Sequence, residues 1–389
     1  MKTLVLDVET TTSNKGNPFD TTNKLCYIGL KAEFIPDRNL YDIEYSDTPC
    51  MNELKEVQEA IKCADILIGF NIKFDLHWIR NYGICFDTCR IWDCQLVHFI
   101  LTGQTASYPS LNDVAAYYGL GNKLDIVNEQ YWENDIDTPD IPRDILEEYL
   151  QGDLDLTYQV YLKQVEDLKD NPLLQRLCSL HNQDLLVLEE MEFNGLLYNE
   201  TESERLAIDL EEQIKDMDTL LLGYHSCPEF NCNSGDHLSS FLYGGSIKIP
   251  YREMVGVFKT GTRAGQPKER WAEREVQFER LVKPLSGSEL AKEGYYSTDE
   301  ATLKSLKGNK RAKEVIEILL KRSELEKRVS TYYRGLLKLR QTLNWQEGKI
   351  HGTLNQCVAR TGRLSSSRPN LQNFDGHIKE LFYSRYLTK

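Results

Sequence analysis

The residues with the clearest chemical potential are three carboxylates at the ends of predicted strands. Asp7 and Glu9 close the apolar run K-T-L-V-L-D-V-E-T at residues 2–10. Strand side chains alternate with a period of two, so these two carboxylates share one face. Asp75 follows the apolar run at residues 64–71, which predicts a further strand leading into a helix.

A fourth carboxylate, Asp153, lies on the predicted helix 145–165, four residues after Tyr149. That spacing puts both side chains on one helix face. Four carboxylates are costly to bring together unless cations bind there. Oxygen ligands favour Mg²⁺ or Mn²⁺, and two such ions about 3.5–4 Å apart can activate a water and stabilise a leaving oxygen in phosphodiester cleavage.

Each of these short motifs is common by itself, and a solvated surface is the usual explanation for one alone. Their order along the chain, however, resembles the DEDD-type 3′→5′ exonucleases, in the subclass with a tyrosine in the third motif. The matching residues are Asp7 and Glu9 for D-x-E, Asn71 and Asp75 for the second motif, and Tyr149 and Asp153 for Y-x-x-x-D. The stretches 92–96 and 108–120 are also similar, so the resemblance covers roughly the first 165 residues.

The resemblance implies a ribonuclease H-like α/β domain that binds two Mg²⁺ or Mn²⁺ ions. Asp7 would bridge both ions, and Glu9 and Asp153 would complete one site. Asp75 would support the other ion, partly through water. Tyr149 would orient the attacking water. Asn71 is expected to bind DNA.

The formal net charge of −14 hides a division along the chain. Residues 1–200 carry 15 Lys or Arg against 35 Asp or Glu, a net −20, and residues 201–300 carry 12 against 18, a net −6. Residues 301–389 carry 19 against 7, a net +12. The first part therefore suits multivalent cations, and the last suits a polyanion such as nucleic acid.

The composition argues against membrane and disulfide-rich classes. The N-terminal apolar run meets Asp7 at once, unlike a signal peptide, and no apolar segment is long enough to span a bilayer. The ten cysteines fit no zinc spacing. We therefore expect free thiols in a reducing cytoplasm, that of the host cell if the chain is phage-encoded, and no membrane partner.

The pattern of predicted elements changes along the chain. Strands alternate with helices up to about residue 170, which predicts an α/β domain. Residues 174–222 are almost wholly helical apart from a break at 192–197. The Gly-containing, mixed-charge stretch 244–300 predicts an irregular, partly exposed insertion. An apolar stripe then predicts a long helix over 310–340, with basic residues such as Arg322 around it.

Near the end of the chain, T-G-R-L-S-S-S-R-P-N-L-Q-N-F occupies residues 361–374. Its hydroxyl, guanidinium and amide groups suit phosphates and minor-groove base edges, although a polar surface loop can have the same composition. The segment resembles the motif that precedes the palm active site in family A DNA polymerases, the bacterial DNA polymerase I and phage replicative group. Most of residues 180–382 share this resemblance, through the stretches 230–242, 297–306, 323–336 and 351–360.

This second resemblance implies a helical thumb and a surface for duplex DNA. On the predicted long helix, Ser330, Thr331 and Tyr332 would grip duplex phosphates. Arg363 would contact the minor groove near the primer terminus. The other residues expected to bind DNA are Asn355, Gln356, Thr361, Ser365, Ser366, Asn370, Gln372 and Asn373.

The polymerase motifs that carry the family's catalytic aspartates are absent from the 389 residues. Alone, the chain is therefore not expected to add nucleotides. We expect the remaining palm and fingers on a second polypeptide, as in a split polymerase, with a truncated chain as the alternative.

The insertion at 244–300 looks closer to phage members of the family. Some of these hold a processivity factor in the thumb, and the sequence leaves open whether such a factor binds here.

We thus predict three domains. Residues 1–172 would form the exonuclease domain, a mixed sheet with flanking helices. Residues 173–345 would form a helical connector and thumb, with the insertion at about 244–300, and residues 346–389 the start of the palm. The expected function is proofreading at single-stranded 3′ ends and binding of primer-template DNA during replication. A non-catalytic DNA-binding scaffold subunit and a free-standing nuclease acting on RNA remain alternatives.

Overall fold

The computed structural model describes residues 1–35, 39–45, 50–121, 125–257, 259–262 and 264–384. The chain divides into two compact units, Met1–Glu200 with Leu336–Lys389, and Thr201–Gly335. The first unit is therefore built from two separate stretches of chain, and the second from the stretch between them.

A five-stranded mixed sheet organises the first unit. Its strands are β1 (Thr3–Thr10), β2 (Leu25–Lys31), β3 (Leu40–Asp42), β4 (Ile66–Gly69) and β5 (Arg90–Asp93). They lie in the order β3-β2-β1-β4-β5, antiparallel from β3 to β1 and parallel from β1 to β5. Strands β1, β2 and β4 are buried on both faces along most of their length, which is why each is a continuous apolar run.

Helices flank this sheet, as the sequence predicted. Among the described residues they are α1 (Met51–Lys62), α2 (Lys73–Asn81), α3 (Cys94–Leu101), α4 (Leu111–Tyr117), α5 (Ile126–Gln130), α6 (Arg143–Leu168) and α7 (Pro172–Asn194). Helix α6 presses directly on β2, since a Cβ atom at Gly29 would lie 2.9 Å from Leu154 Cδ1. The mixed sheet with flanking helices is confirmed, while its assignment as ribonuclease H-like stays a prediction.

Short strands join the two stretches of the first unit. Strands β6 (Leu196–Tyr198), β9 (Lys349–Ile350) and β12 (Phe382–Tyr383) form a sheet in the order β12-β6-β9. Strands β10 (Thr353–Asn355) and β11 (Ser365–Ser367) pair antiparallel, and helix α13 (Gly376–Lys379) follows them. We call residues 353–373, which contain the β10–β11 pair, the closing hairpin.

The second unit is mainly helical, with one long ribbon. Its helices are α8 (Glu200–His225), α9 (Gly235–Tyr243), α10 (Glu300–Ser305) and α11 (Lys310–Lys327), and its ribbon pairs β7 (Gly245–Val257) with β8 (Pro267–Phe278). Helix α12 (Arg334–Thr342) begins at the end of this unit, and most of its residues belong to the first unit. The assignment of this unit as a thumb stays a prediction. No helix in the described ranges has both the length and the apolar character needed to cross a bilayer.

The prediction of an irregular, partly exposed insertion at 244–300 is corrected at the two strands of the ribbon, whereas the described residues 279–299 form no named helix or strand. Residues 245–257 and 267–278 form a regular antiparallel pair, broken by one register shift between Met254 and Gly256. Most of the ribbon is exposed, and only the base, at Ile247, Ile249 and Phe278, is buried. Because both faces meet water over most of the length, the sequence shows no sustained alternation of apolar and polar residues.

The predicted long helix over 310–340 is interrupted by a π-helical turn at Arg328–Tyr333. The chain can pack this tightly because residue 335 is glycine: a Cβ atom there would lie 2.5 Å from Ser330 O. Arg322, expected on the basic surface, is instead buried and donates to Asp218 Oδ1 and Asn233 Oδ1 at 2.5 and 2.7 Å. Pairing with these partners makes the burial of its charge tolerable.

Candidate nuclease and nucleic-acid sites

Three of the predicted metal ligands converge at the sheet. Asp7 and Glu9 project from β1, and Asp153 projects from α6, which packs against that strand. One carboxylate oxygen from each residue lies within 4.8 Å of the others. Glu9 and Asp153 are buried, and Asp7 is half-buried. We call these three residues, together with Asp75, the carboxylate centre.

Asp75 joins the group from helix α2. It is 3% exposed, and its Oδ1 accepts a hydrogen bond from Val8 N at 3.1 Å, which fixes it against β1. Burial and the charge of Asp7 raise the pKa of Asp75 well above its ordinary value, although backbone amides oppose the shift. Asp75 therefore lies close enough to Asp7 for the two like charges to interact. Hard divalent cations bind such a set of oxygen donors.

Tyr149 lies one turn before Asp153 on α6 and is buried. Its ring makes a T-shaped contact with the ring of Trp132, with centroids 5.6 Å apart and an interplanar angle of 84°. Burial and the charges of Glu9 and Asp153 raise the pKa of Tyr149. The phenol therefore stays protonated at neutral pH and keeps a hydroxyl that can donate.

Asp93, which the sequence did not single out, positions the start of α2. It ends β5 and caps α3, and it is fully buried. Its carboxylate accepts four backbone N–H groups at 2.8–3.1 Å, from Asn71, Ile72, Gln95 and Leu96. Burial raises the pKa of Asp93 to about 6, with these hydrogen bonds opposing the shift. An aspartate at the end of an apolar run and before a helix is a cap signal that could have revealed it.

Asn71 marks the turn between β4 and α2. It is exposed and adopts a left-handed backbone conformation with φ at +57°. Asparagine tolerates this conformation better than most residues, so its place in the motif has a local structural reason. Its predicted contact with DNA stays a prediction.

The predicted DNA-binding residues of the closing hairpin differ widely in exposure. Thr361 and Arg363 are exposed, and Ser365 is half-buried. Ser366 is buried, where its Oγ donates to Pro369 O and accepts from Leu371 N at 3.2 and 3.1 Å. Asn355 Nδ2 donates to Ser367 Oγ at 3.2 Å, across the strand pair. Ser366 and Asn355 thus shape the hairpin.

The amide side chains near the hairpin also have partners within the protein. Gln356 Nε2 donates to His181 O at 3.0 Å, and Gln372 Nε2 donates to Leu364 O at 3.1 Å. Asn370 caps a short 3₁₀ turn by accepting from Gln372 N, and Asn373 is exposed. These contacts give the segment a defined shape, and its binding to DNA stays a prediction.

The remaining predicted DNA contacts lie in the second unit, on the π-helical turn. Ser330 and Thr331 are exposed, and Tyr332 is half-buried. Ser330 Oγ donates to Glu326 O at 2.7 Å. π-helical turns within α-helices are frequent at functional sites, which agrees with a binding role for this turn.

Comparison with known proteins identifies the relatives. The sequence model of DNA polymerase family A matches residues 273–385. DNA polymerase I of Synechocystis is 28% identical over 78% of this chain and 26% of the relative. DNA polymerase I of Geobacillus stearothermophilus is 27% identical over 56% of this chain and 20% of the relative. The chain thus spans about a quarter or less of these curated relatives.

A solved structure of the POL domain of Pol1 from M. smegmatis, in complex with DNA primer-template and dNTP, shares the fold. The TM-score is 0.62 at 17% identity, over 95% of this chain and 51% of that one. These comparisons do not support a second polypeptide or a phage origin, which stay predictions of the sequence. The chain is thus similar to bacterial DNA polymerase I proteins, and its residues 273–385 match the model of DNA polymerase family A.

Proposed function

We propose that this chain is the 3′→5′ exonuclease and primer-template-binding part of a DNA polymerase I-like replication enzyme. The observation that carries the proposal is the convergence of Asp7, Glu9 and Asp153 within 4.8 Å, with Asp75 beside them. Buried like charges repel, and divalent cations bound among these oxygens would offset that repulsion.

The carboxylate centre, formed by Asp7, Glu9, Asp75 and Asp153, would hold two Mg²⁺ or Mn²⁺ ions. When bound, such ions supply a nucleophilic water and stabilise the leaving oxygen of a phosphodiester. Asp75, fixed by Val8 N, would keep one face of the centre in place. The neutral hydroxyl of Tyr149 would orient the attacking water, because it can donate or accept without ionising.

The closing hairpin would bind the duplex. Arg360, Arg363 and Arg368 are exposed there, in the part of the chain with a net charge of +12. Arginine side chains can contact phosphates and reach into the minor groove. A processivity factor at the ribbon and a second chain with the remaining palm motifs stay predictions. Neither is needed for the nuclease step.

The nuclease proposal is tested with a 5′-labelled single-stranded DNA. Mg²⁺ or Mn²⁺ should support stepwise removal of nucleotides from the 3′ end, and EDTA should stop it. The double substitution Asp7→Ala with Glu9→Ala should abolish the activity. A matched control, Glu56→Ala with Glu59→Ala on the exposed face of α1, removes the same charge and should retain it.

The outcomes separate the alternatives. Activity that persists in the Asp7/Glu9 variant would exclude the metal assignment. Primer-template binding without any nuclease activity in the wild-type chain would favour a scaffold subunit. Faster degradation of RNA than of DNA would favour the free-standing RNA nuclease.

A further inference from the structure

Glu192, near the end of α7, is a buried carboxylate that the nuclease proposal does not use. Its Oε1 accepts from Lys73 Nζ at 2.6 Å and from Leu354 N at 2.5 Å. Its Oε2 lies 2.9 Å from His77 Nε2. Burial by itself would raise the pKa of Glu192, but the hydrogen bond from His77 and the charge of Lys73 lower it. The carboxylate is therefore ionised, and three donors surround it.

Two of these donors lie on the helix that carries Asp75. Lys73 and His77 are four residues apart on α2, so they share a face. Asp75 is two residues from each, a rotation of about 200° on an α-helix, and so points to the opposite side. Val8 N holds Asp75 on that side. Helix α2 is thus clamped between β1 and the Glu192 carboxylate.

The third donor lies in the closing hairpin. Leu354 belongs to β10, and both of its backbone polar groups enter the cluster, because Lys73 Nζ also donates to Leu354 O at 2.5 Å. His351 Nδ1 adds a hydrogen bond to Glu192 O at 2.8 Å. The same carboxylate therefore anchors α2 on one side and the start of the hairpin on the other.

Glu189, one turn earlier on α7, reinforces only the helix side. Its Oε1 lies 3.2 Å from His77 Nδ1, and its Oε2 lies 3.4 Å from Arg80 NH1. His77 therefore lies between two carboxylates of α7, with a hydrogen bond to Glu192 alone, and its ring makes no hydrogen bond to the hairpin among the described contacts. This difference between His77 and Glu192 allows the two anchoring roles to be separated.

We propose that Glu192 is a positioning residue that holds Asp75 in the carboxylate centre and the β10 end of the closing hairpin in place at the same time. The proposal rests on the proposed nuclease function. It predicts that a substitution at Glu192, which is not itself one of the proposed metal-binding or DNA-binding residues, weakens metal binding and duplex binding together. It also predicts that a substitution at His77 weakens metal binding alone.

The test uses the full chain and two equilibrium measurements. Mn²⁺ affinity is measured by electron paramagnetic resonance of the free ion, without DNA. Primer-template affinity is measured by fluorescence anisotropy in EDTA, without metal. The variants are Glu192→Gln, His77→Gln and, as a matched control, Glu190→Gln, which removes the same charge from an exposed position on the same helix. Thermal melting reports the fraction folded.

Glu192→Gln should weaken Mn²⁺ binding about 10-fold, the lower end of the range for residues that orient metal ligands. It should also weaken primer-template binding several-fold. His77→Gln should weaken Mn²⁺ binding similarly and leave primer-template binding within about 2-fold. Glu190→Gln should change neither affinity. A purely structural role would lower the melting temperature while folded protein kept both affinities.

Wild-type Mn²⁺ affinity in folded Glu192→Gln would overturn the proposal, as would equal loss of duplex binding in His77→Gln. If Glu192→Gln does not fold, wild-type Mn²⁺ affinity in His77→Gln still overturns it. Asp7→Ala separates this inference from the nuclease proposal. If Asp7→Ala binds Mn²⁺ like the wild type, the metal centre itself is wrong. If it loses Mn²⁺ while the Glu192 and His77 variants do not, only the positioning role fails.

Discussion

The carboxylate centre and the closing hairpin are built in opposite ways. The carboxylate centre uses acidic groups, most of them buried, on β1, α2 and α6, elements with many core contacts. The closing hairpin presents exposed basic and polar groups on short strands, and several of its side chains are used to hold its own shape. A catalytic metal site needs ligands that are held rigidly, and bringing their negative charges together is electrostatically unfavourable. A surface that binds a polyanion can instead remain solvated.

The largest effect should come from Asp153→Asn, which tests how much the repulsion between buried carboxylates destabilises the fold. We expect nuclease activity to fall on the order of 10³-fold, as for loss of a group that stabilises developing charge. In EDTA we expect a higher melting temperature than in the wild type, because a buried like charge has been removed. Single-turnover degradation and thermal melts measure the two effects.

Glu166→Gln on the exposed face of α6 is the control for this substitution, and it should change neither quantity. Lower stability of Asp153→Asn in EDTA would mean that the carboxylates are held by favourable contacts. The contrast between a carboxylate centre held at an electrostatic cost and a solvated hairpin would then be wrong.

The second effect concerns Asp93 and pH. Its pKa is raised from 3.8 to about 6 in the folded protein, so the folded state binds more protons than the unfolded state between these values. Stability should therefore fall as pH rises from about 4 to about 6, by up to about 3 kcal/mol from this group, and level off above. Asp93→Asn should flatten the profile, measured by urea unfolding in EDTA.

Asp87→Asn, at an exposed position, serves as the control and should leave the pH profile unchanged. If Asp93→Asn and Asp87→Asn gave the same slope as the wild type, burial at Asp93 would not carry the expected electrostatic cost. Asp75 lies nearby with a raised pKa, so a residual slope of the same sign is expected in the Asp93 variant.

The smallest effect should come from Arg363→Ala in the closing hairpin. Loss of one exposed arginine should weaken primer-template binding about 10-fold and reduce the salt dependence of binding by about one unit of slope. Degradation of single-stranded DNA should be spared. Lys379→Ala, an exposed cation on α13, is the control and should have a smaller effect on binding. Equal loss of binding and nuclease activity would place Arg363 with the carboxylate centre.

The sequence was sufficient to find the carboxylate centre because its ligands sit at strand ends and on one helix face. The D-x-E spacing on β1 and the Y-x-x-x-D spacing on α6 place side chains by local periodicity alone. The mixed sheet followed from its buried apolar runs for the same reason. Asp75 was also predicted from the sequence, but its contact with Val8 N, which spans 67 residues of chain, was not.

Residues that act across long separations could not be predicted in this way. Glu192 meets Leu354 from the other stretch of the first unit, and Asp93 gathers backbone groups from two different helix starts. From the sequence, Arg322 was expected on a basic, solvated helix face. Its pairing with Asp218, which lies 104 residues away along the chain, could not be predicted from local spacing. The ribbon β7–β8 lacked an apolar alternation because most of it has no core to face.

The sheet β12-β6-β9 has a consequence for how the chain reaches its native state. Strands β6 and β9 are hydrogen-bonded neighbours, yet residues 199–348 separate them. The first unit can therefore complete this sheet only after the whole second unit has been synthesised. Closing so long a loop is entropically costly and slow. During synthesis, the sheet that carries Asp7 and Glu9 can form early, while the closing hairpin can form only after the second unit has been synthesised.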